Sequence, residues 1–165
     1  MEADRIDRVS LPSRWQEVLL FELAEQRFAL PVSDVVELTR ACALQTLPEA
    51  PALVLGVLNL RGQVVPVLDL RRRFGLPEVE LEPSHFFVLS RIAGRLLALR
   101  VDRLLGTETL DVVPVQASPN LPTDLRYLSG VASVADGVVL IYDVVTFLSD
   151  AESRVLERAL LEGGV

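Results

Sequence analysis

Side chains able to do covalent or acid–base chemistry are few in this sequence, and they are poorly spaced for it. His85 is the one histidine and Cys42 the one cysteine. An intramolecular disulfide and a cysteine-rich zinc site are therefore excluded, and any other metal site would need an unusual all-carboxylate set. No serine stands in a nucleophile-elbow context, and the glycines form no phosphate loop. Asp69 and Asp143 occupy matching positions in two similar stretches. Paired carboxylates can serve acid–base catalysis, but the same helix cap used twice is the simpler account. The run Arg71-Arg72-Arg73 reads as a solvated helix face near a carboxyl terminus, with docking of an acidic partner as the other possibility. His85 is expected in a structural or surface role, and Cys42 as a small buried hydrophobe. No catalytic residue, metal or cofactor is expected, and the chain reads as a non-enzyme.

One residue stands apart from this list. Residues 56–70 read GVLNLRGQVVPVLDL, two β-type runs flanking a turn at Arg61-Gly62. A tight turn pushes its arginine out of the sheet into solvent, and Gly62 supplies the positive φ that such a turn demands. Asn59 is placed to hydrogen-bond within the turn and fix it. With no catalytic partner nearby, Arg61 reads as a contact residue on a rigid scaffold, the signature of binding, with pairing to a local carboxylate as the other reading and Asn59 and Gly62 then only shaping the hairpin.

The elements that hold this turn are mostly strands. Residues 18–23 and 27–32 form a hairpin signal around Ala24-Glu25-Gln26. Ser33 is placed to cap a helical turn over Asp34–Glu37, a weak strand follows near 43–47, and a short helix is expected over 51–55. Asp69 caps a short helix at 70–74 that Gly75 ends. The pattern then repeats. Residues 86–89 and 95–101 form a second hairpin, with Phe28–Val32 matching Leu97–Val101. Gly56-Val57 matches Gly130-Val131, and Val67–Leu70 matches Ile141–Val144. Short strands at close spacing argue for small barrels packed with side chains. At the C-terminus, Ser149-Asp150-Ala151-Glu152 is a capping box for a helix whose apolar face is Val155, Leu156, Ala159 and Leu160.

The expected organisation is a loose arm over 1–16 and one domain over 17–148, with a terminal helix over 149–162. Within the domain a first barrel unit spans 17–75 and a second spans 85–148, carrying an extra loop at Gln116–Arg126. Trp15 is expected to cover the edge of the core. The chain has 165 residues, half of them hydrophobic, and can bury a core without disulfides or metals. Its net charge of −7 repels nucleic acid. All sixteen basic residues are arginine, a residue suited to planar contacts with carboxylates at interfaces. With no apolar leader and no apolar run near the ~20 residues a bilayer requires, the reading is a soluble cytoplasmic protein without membrane insertion.

Gly56-Val57-Leu58-Asn59-Leu60-Arg61-Gly62 followed by Val65-Pro66-Val67-Leu68-Asp69-Leu70-Arg71 closely resembles the hallmark of CheW-like chemotaxis coupling proteins. Val35-Val36-Glu37-Leu38, Pro48–Pro51, Val101-Asp102 and Ile141-Tyr142-Asp143 fit the same family, over about 18–148. The resemblance implies an all-β fold of two five-stranded SH3-like barrels related by an internal repeat, with short connecting helices and the C-terminal helix. It also implies an adaptor between the cytoplasmic tips of methyl-accepting chemoreceptors and a CheA-type histidine kinase, brought to receptor arrays by those partners. By motif position, Arg61 with Asn59 and Gly62 would carry contact work, and Val35 and Glu37 would flank a receptor-facing groove. The kinase would engage apolar barrel ends. The alternative is a small-molecule-sensing module on the same fold, which needs a polar-lined pocket; no polar cluster in the sequence suggests one. Arg100, before Val101-Asp102, departs from the family pattern, where an apolar residue is usual.

Overall fold

Alternating apolar residues and two-residue turns dictate a molecule made of hairpins. A computed structural model describes residues 14–115 and 126–163. The expected loop at 116–126 therefore lies outside the described residues except for Arg126, as does the expected arm up to residue 13. The strands are β1 (Arg14–Leu23), β2 (Gln26–Pro31), β3 (Val35–Arg40), β4 (Val54–Leu60), β5 (Gln63–Asp69), β6 (Phe86–Ile92), β7 (Arg95–Val101), β8 (Arg103–Pro114), β9 (Leu128–Val134) and β10 (Gly137–Tyr142). Helix α1 covers Leu70–Phe74 and α2 covers Asp150–Glu162. Three hairpins turn through two residues with positive φ: Ala24 and Glu25, Arg61 and Gly62, Ala93 and Gly94. Such turns match the right-handed twist of the strands they join.

The strands make two five-stranded sheets. One is a closed barrel of order β1-β2-β10-β9-β8, and the other has the order β3-β6-β7-β5-β4. The chain does not divide into a first barrel from 17–75 and a second from 85–148, as the repeat alone suggests. The β1–β2 hairpin closes the barrel of the second half, and the β6–β7 hairpin completes the sheet of the first. The reason lies in strands buried on both faces. In β2, Ala29 faces the barrel interior while Phe28 and Leu30 face a core shared by the two sheets. In β7, Ala98 faces the interior of the second sheet while Leu97 and Leu99 face the shared core. Each such strand needs a neighbour on both sides, and the second neighbour is a parallel strand from the other half.

The repeat itself is preserved in register. Ala29 pairs with Ile141 and Ala98 with Val67, so the residues matched by sequence meet equivalent partners. Gly56 lies opposite Val67 and Gly130 opposite Ile141, each beside an irregularity in the ladder. Asp69 accepts from Arg71 N and Asp143 from Val145 N, the same cap on α1 and on a 3-10 turn at Val144–Phe147. Their structural role is thereby fixed. The shared core gathers Phe21, Phe28, Phe74, Tyr127, Tyr142 and Phe147, with neighbouring ring centroids 4.8–6.3 Å apart. Helix α2 packs Leu156, Ala159 and Leu160 against it behind the expected capping box. Val155, expected on that face, is exposed.

Other local expectations change. The helical turn expected over Asp34–Glu37 lies earlier: a 3-10 turn spans Val32–Asp34 without a side-chain cap, and the β-branched Val35-Val36 begin β3 against β6. The strand expected near 43–47 shrinks to one bridge, Gln45 with Val57. No helix forms over 51–55, because Val54 already starts β4. Trp15 lies inside β1 yet is 73% exposed, and Cys42 is also exposed. Neither meets the core. Both belong to segments at sheet ends where the alternating pattern had weakened.

The arginine run is the largest correction. Arg71 is buried, and it donates to Asp102 through Nη2 at 2.5 Å and to the Pro77 carbonyl at 2.7 Å. Arg72 bonds Glu78 at 2.6 Å and the Ala52 carbonyl, and Arg73 bonds Glu152 on α2 at 2.5 Å. Arg100 is fully buried and donates to the Val79 carbonyl at 2.9 Å. Together Arg71, Arg72 and Arg100 hold residues 77–79 of the connector between the halves. His85 is buried just before β6, where its Nδ1 accepts from Glu82 N. Asp102 also accepts from Ala24 N at 2.9 Å, tying the β1–β2 turn to α1.

Two outcomes follow from this packing. A Cβ on Gly56 would stand 2.5 Å from the Gln45 carbonyl oxygen, so Gly56→Ala must push two backbones apart. We expect a loss of about 2–3 kcal/mol in urea unfolding, from a lower midpoint at unchanged slope. Burial alone would raise the Asp102 pKa, but hydrogen bonds from Arg71 and Ala24 outweigh it and hold the carboxyl below the usual range. Its contribution is complete above the unfolded value near 3.9 and is lost as pH falls through the folded one. Asp102→Asn should therefore cost about 3 kcal/mol at neutral pH, and the gap from wild type should narrow below about pH 4.

Candidate protein-interaction site

The site lies where the second sheet leaves a seam. Strands β3 and β4 are its two edges. At one level β4 is met by the segment after β3, where Gln45 and Val57 exchange hydrogen bonds of 3.0 and 2.8 Å. Beyond that bridge a side-chain pair spans the gap. Arg61 on the β4–β5 turn donates from Nη2 to Glu37 Oε1 at 2.7 Å and from Nη1 to Oε2 at 3.1 Å. Such fork-to-fork geometry fixes the guanidinium plane as well as its position.

Each residue of the turn has a distinct task. Asn59 Oδ1 accepts from Gly62 N at 2.9 Å and closes the turn on itself. Gly62 takes φ 86° with open space where a Cβ would be, so backbone conformation alone selects glycine there. Arg61 also carries a positive φ, of 50°, which aims its side chain away from the sheet. That side chain is 71% exposed and Glu37 is 33% exposed. The hydrogen bonds from Arg61 hold the Glu37 carboxyl below the usual glutamate range, and Glu37 raises the arginine in return. An ion pair so exposed adds little to fold stability. Its physical effect is to hold a charged surface in one conformation.

Of the five residues singled out by sequence, Asn59, Arg61, Gly62 and Glu37 come together here. Val35 sits apart from them: it is half-buried and packs on the shared core, two residues before Glu37. The neighbours Val36 and Leu38 face the other way and are 53% and 43% exposed. Sequence reasoning did not single them out, though their alternation with Val35 and Glu37 was the available signal. Asp34 on the adjoining 3-10 turn was also missed. Burial raises its pKa, and the nearby Asp143 charge adds to the rise. No signal in the sequence brings Asp34 and Asp143 together, because they lie on different sheets' connections. Among the described residues, no group of three or more His, Cys, Asp or Glu side chains could hold a metal ion. None of the described helices is long and apolar enough to cross a membrane.

Two small five-stranded sheets sharing a core, with an exposed arginine pinned by a carboxylate at one seam, make a β-scaffold that presents a fixed charged surface. The CheW-like domain family model matches residues 17–152, and the chain belongs to that family. It is 25% identical over 141 residues to a probable chemotaxis protein CheW of Rhizobium etli, covering 84% of this chain and 91% of that one. It is 30% identical over 104 residues to protein FrzA of Myxococcus xanthus, covering 63% and 65%. The crystal structure of the scaffolding protein TtCheW from Thermoanaerobacter tengcongensis superposes with a TM-score of 0.72 at 25% identity, covering 84% of this chain and 91% of that one.

The electrostatics of the pair can be read directly. In an NMR titration of the Glu37 side-chain carboxyl, the wild type should titrate below the ordinary glutamate value of about 4.3. Arg61→Ala should return it to that value, and an unchanged titration would mean the pair does not form in solution.

Proposed function

We propose that this protein is a non-enzymatic adaptor, coupling the cytoplasmic tips of methyl-accepting chemoreceptors to a CheA-type histidine kinase in chemotaxis or chemotaxis-like signalling. It would work in the cytoplasm, drawn to the receptor array by its partners. Family membership supports the general role. The observation that carries the reading of the site is the bidentate Arg61–Glu37 pair on a two-residue turn. The turn conformation and the pair are formed before any partner arrives, so little side-chain freedom remains to be lost on binding. A partner carboxylate can share the Arg61 guanidinium, and a partner cation can meet Glu37. Asn59 and Gly62 would act by shaping the turn, and Val35 by seating β3 on the core. Exposed Val36 and Leu38 would add apolar area beside the charges. This reading involves no cofactor.

Arg61→Ala should weaken binding of a purified receptor tip or of the kinase about 30-fold, as loss of an interface arginine commonly does. The far-ultraviolet circular dichroism and the unfolding midpoint should stay near wild type. Unchanged affinity for both partners would sink the assignment of Arg61.

A further inference from the structure

The fold assembles a polar pocket from three segments far apart in the chain. A cavity of about 370 Å³ lies between the tip of the β6–β7 hairpin, the start of β5 and helix α2. Arg91 and Arg95 line it from the hairpin, Gln63 from β5, and Ser153 and Glu157 from α2, above the buried Ile92. Arg71, Arg72, Arg73 and Arg100 all find protein acceptors. Among the described residues, Arg91, Arg95 and Glu157 find none. Opposite charges therefore face one cavity without reaching each other.

They are held apart by rigid walls. The hairpin tip is a two-residue turn at Ala93 and Gly94, and β7 is pinned between β6 and β5. Helix α2 is seated by its buried Leu156 and Ala159 and by the Arg73–Glu152 pair. Neither wall can close on the other without giving up core packing. The charges are best completed by a molecule carrying both signs. The volume, at the low end of the roughly 300–1,000 Å³ common for ligand sites, suits something of amino-acid to dipeptide size.

We infer that this cavity binds a zwitterionic ligand, with its carboxylate received by Arg91 and Arg95 and its ammonium by Glu157. This chemistry can come from a free small molecule or from neighbouring acidic and lysine side chains of a partner protein. The site is separate from the Arg61–Glu37 pair, though Gln63 directly follows Gly62, so an occupant would border the turn.

The test uses the full ¹⁵N-labelled chain and four probes: γ-aminobutyrate, butyrate, butylammonium and acetyl-Glu-Ala-Ala-Lys-amide. The amides of Gln63, Gly94 and Ser153 should shift with γ-aminobutyrate or with the blocked peptide. Affinity should exceed that for butyrate and butylammonium by about fivefold or more, the worth of one added ion pair. Tighter binding of the blocked peptide assigns the pocket to a partner's side chains, and tighter binding of γ-aminobutyrate to a free small molecule. Arg91→Ala combined with Arg95→Ala should abolish the shifts, and Glu157→Gln should reduce γ-aminobutyrate to the level of butyrate. Should the double variant unfold, Glu157→Gln on the exposed side of α2 decides alone. No shift with either zwitterion up to about 10 mM, or butyrate binding wild type as tightly as the tighter of the two zwitterions, overturns the inference.

Discussion

Strands β2 and β7 are buried on both faces, and the rest of the architecture accommodates that fact. An apolar strand with two inward faces cannot sit at a sheet edge without exposing backbone donors and acceptors. Each therefore takes an antiparallel neighbour from its own hairpin and a parallel neighbour from the other half of the chain. This exchange makes one face of each sheet continuous with a common core. It also explains why the connector between the halves is fastened by Arg71, Arg72 and Arg100. The connector must span from one sheet's corner to the strand that completes the same sheet, and charged hydrogen bonds set its course.

The exchange is symmetric in register but not in closure. The sheet holding β1 closes through a long β8, whereas the other stays open between β3 and β4, spanned only by the Arg61–Glu37 pair and by a bridge from the segment after β3 to β4. The proposed contact site lies where regular pairing stops. A side chain there is free of the ladder yet anchored to it, which combines exposure with a fixed orientation. The matching turn in the other sheet carries Asp136, paired with Arg27 at 3.0 Å, so the charge at the two tips is reversed. The two related sheets thus offer different electrostatic surfaces.

The hairpins, the repeat, both aspartate caps and the capping box were legible because each depends on residues close in sequence. Turn chemistry and alternation are local signals, and Asn59, Arg61 and Gly62 lie within one turn. The exchange of hairpins was not legible, since a strand apolar on both faces advertises two neighbours without naming them. The Arg61–Glu37 contact crosses the seam between edge strands and depends on how far the sheet curls. The arginine run misled for a similar reason: its acceptors are Asp102, Glu78, Glu152 and backbone carbonyls scattered over the chain. Arg100, which departs from the usual apolar residue, is met in the core at Nη1 alone, by the Val79 carbonyl and at 3.6 Å by Asp69.

Because Ala29 must wait for Ile141, the fold has a schedule as well as a shape. During synthesis at about 5–20 residues per second, the first hairpin emerges many seconds before the strand that will flank it. Throughout that interval β2 presents apolar side chains and an unpaired edge. The other sheet draws all five of its strands from residues 35–101 and can pair first, whereas the barrel stays open until β8, β9 and β10 arrive. A nascent chain of this kind depends on its second half arriving intact, and truncation late in the message would leave exposed strands in place of a smaller working domain.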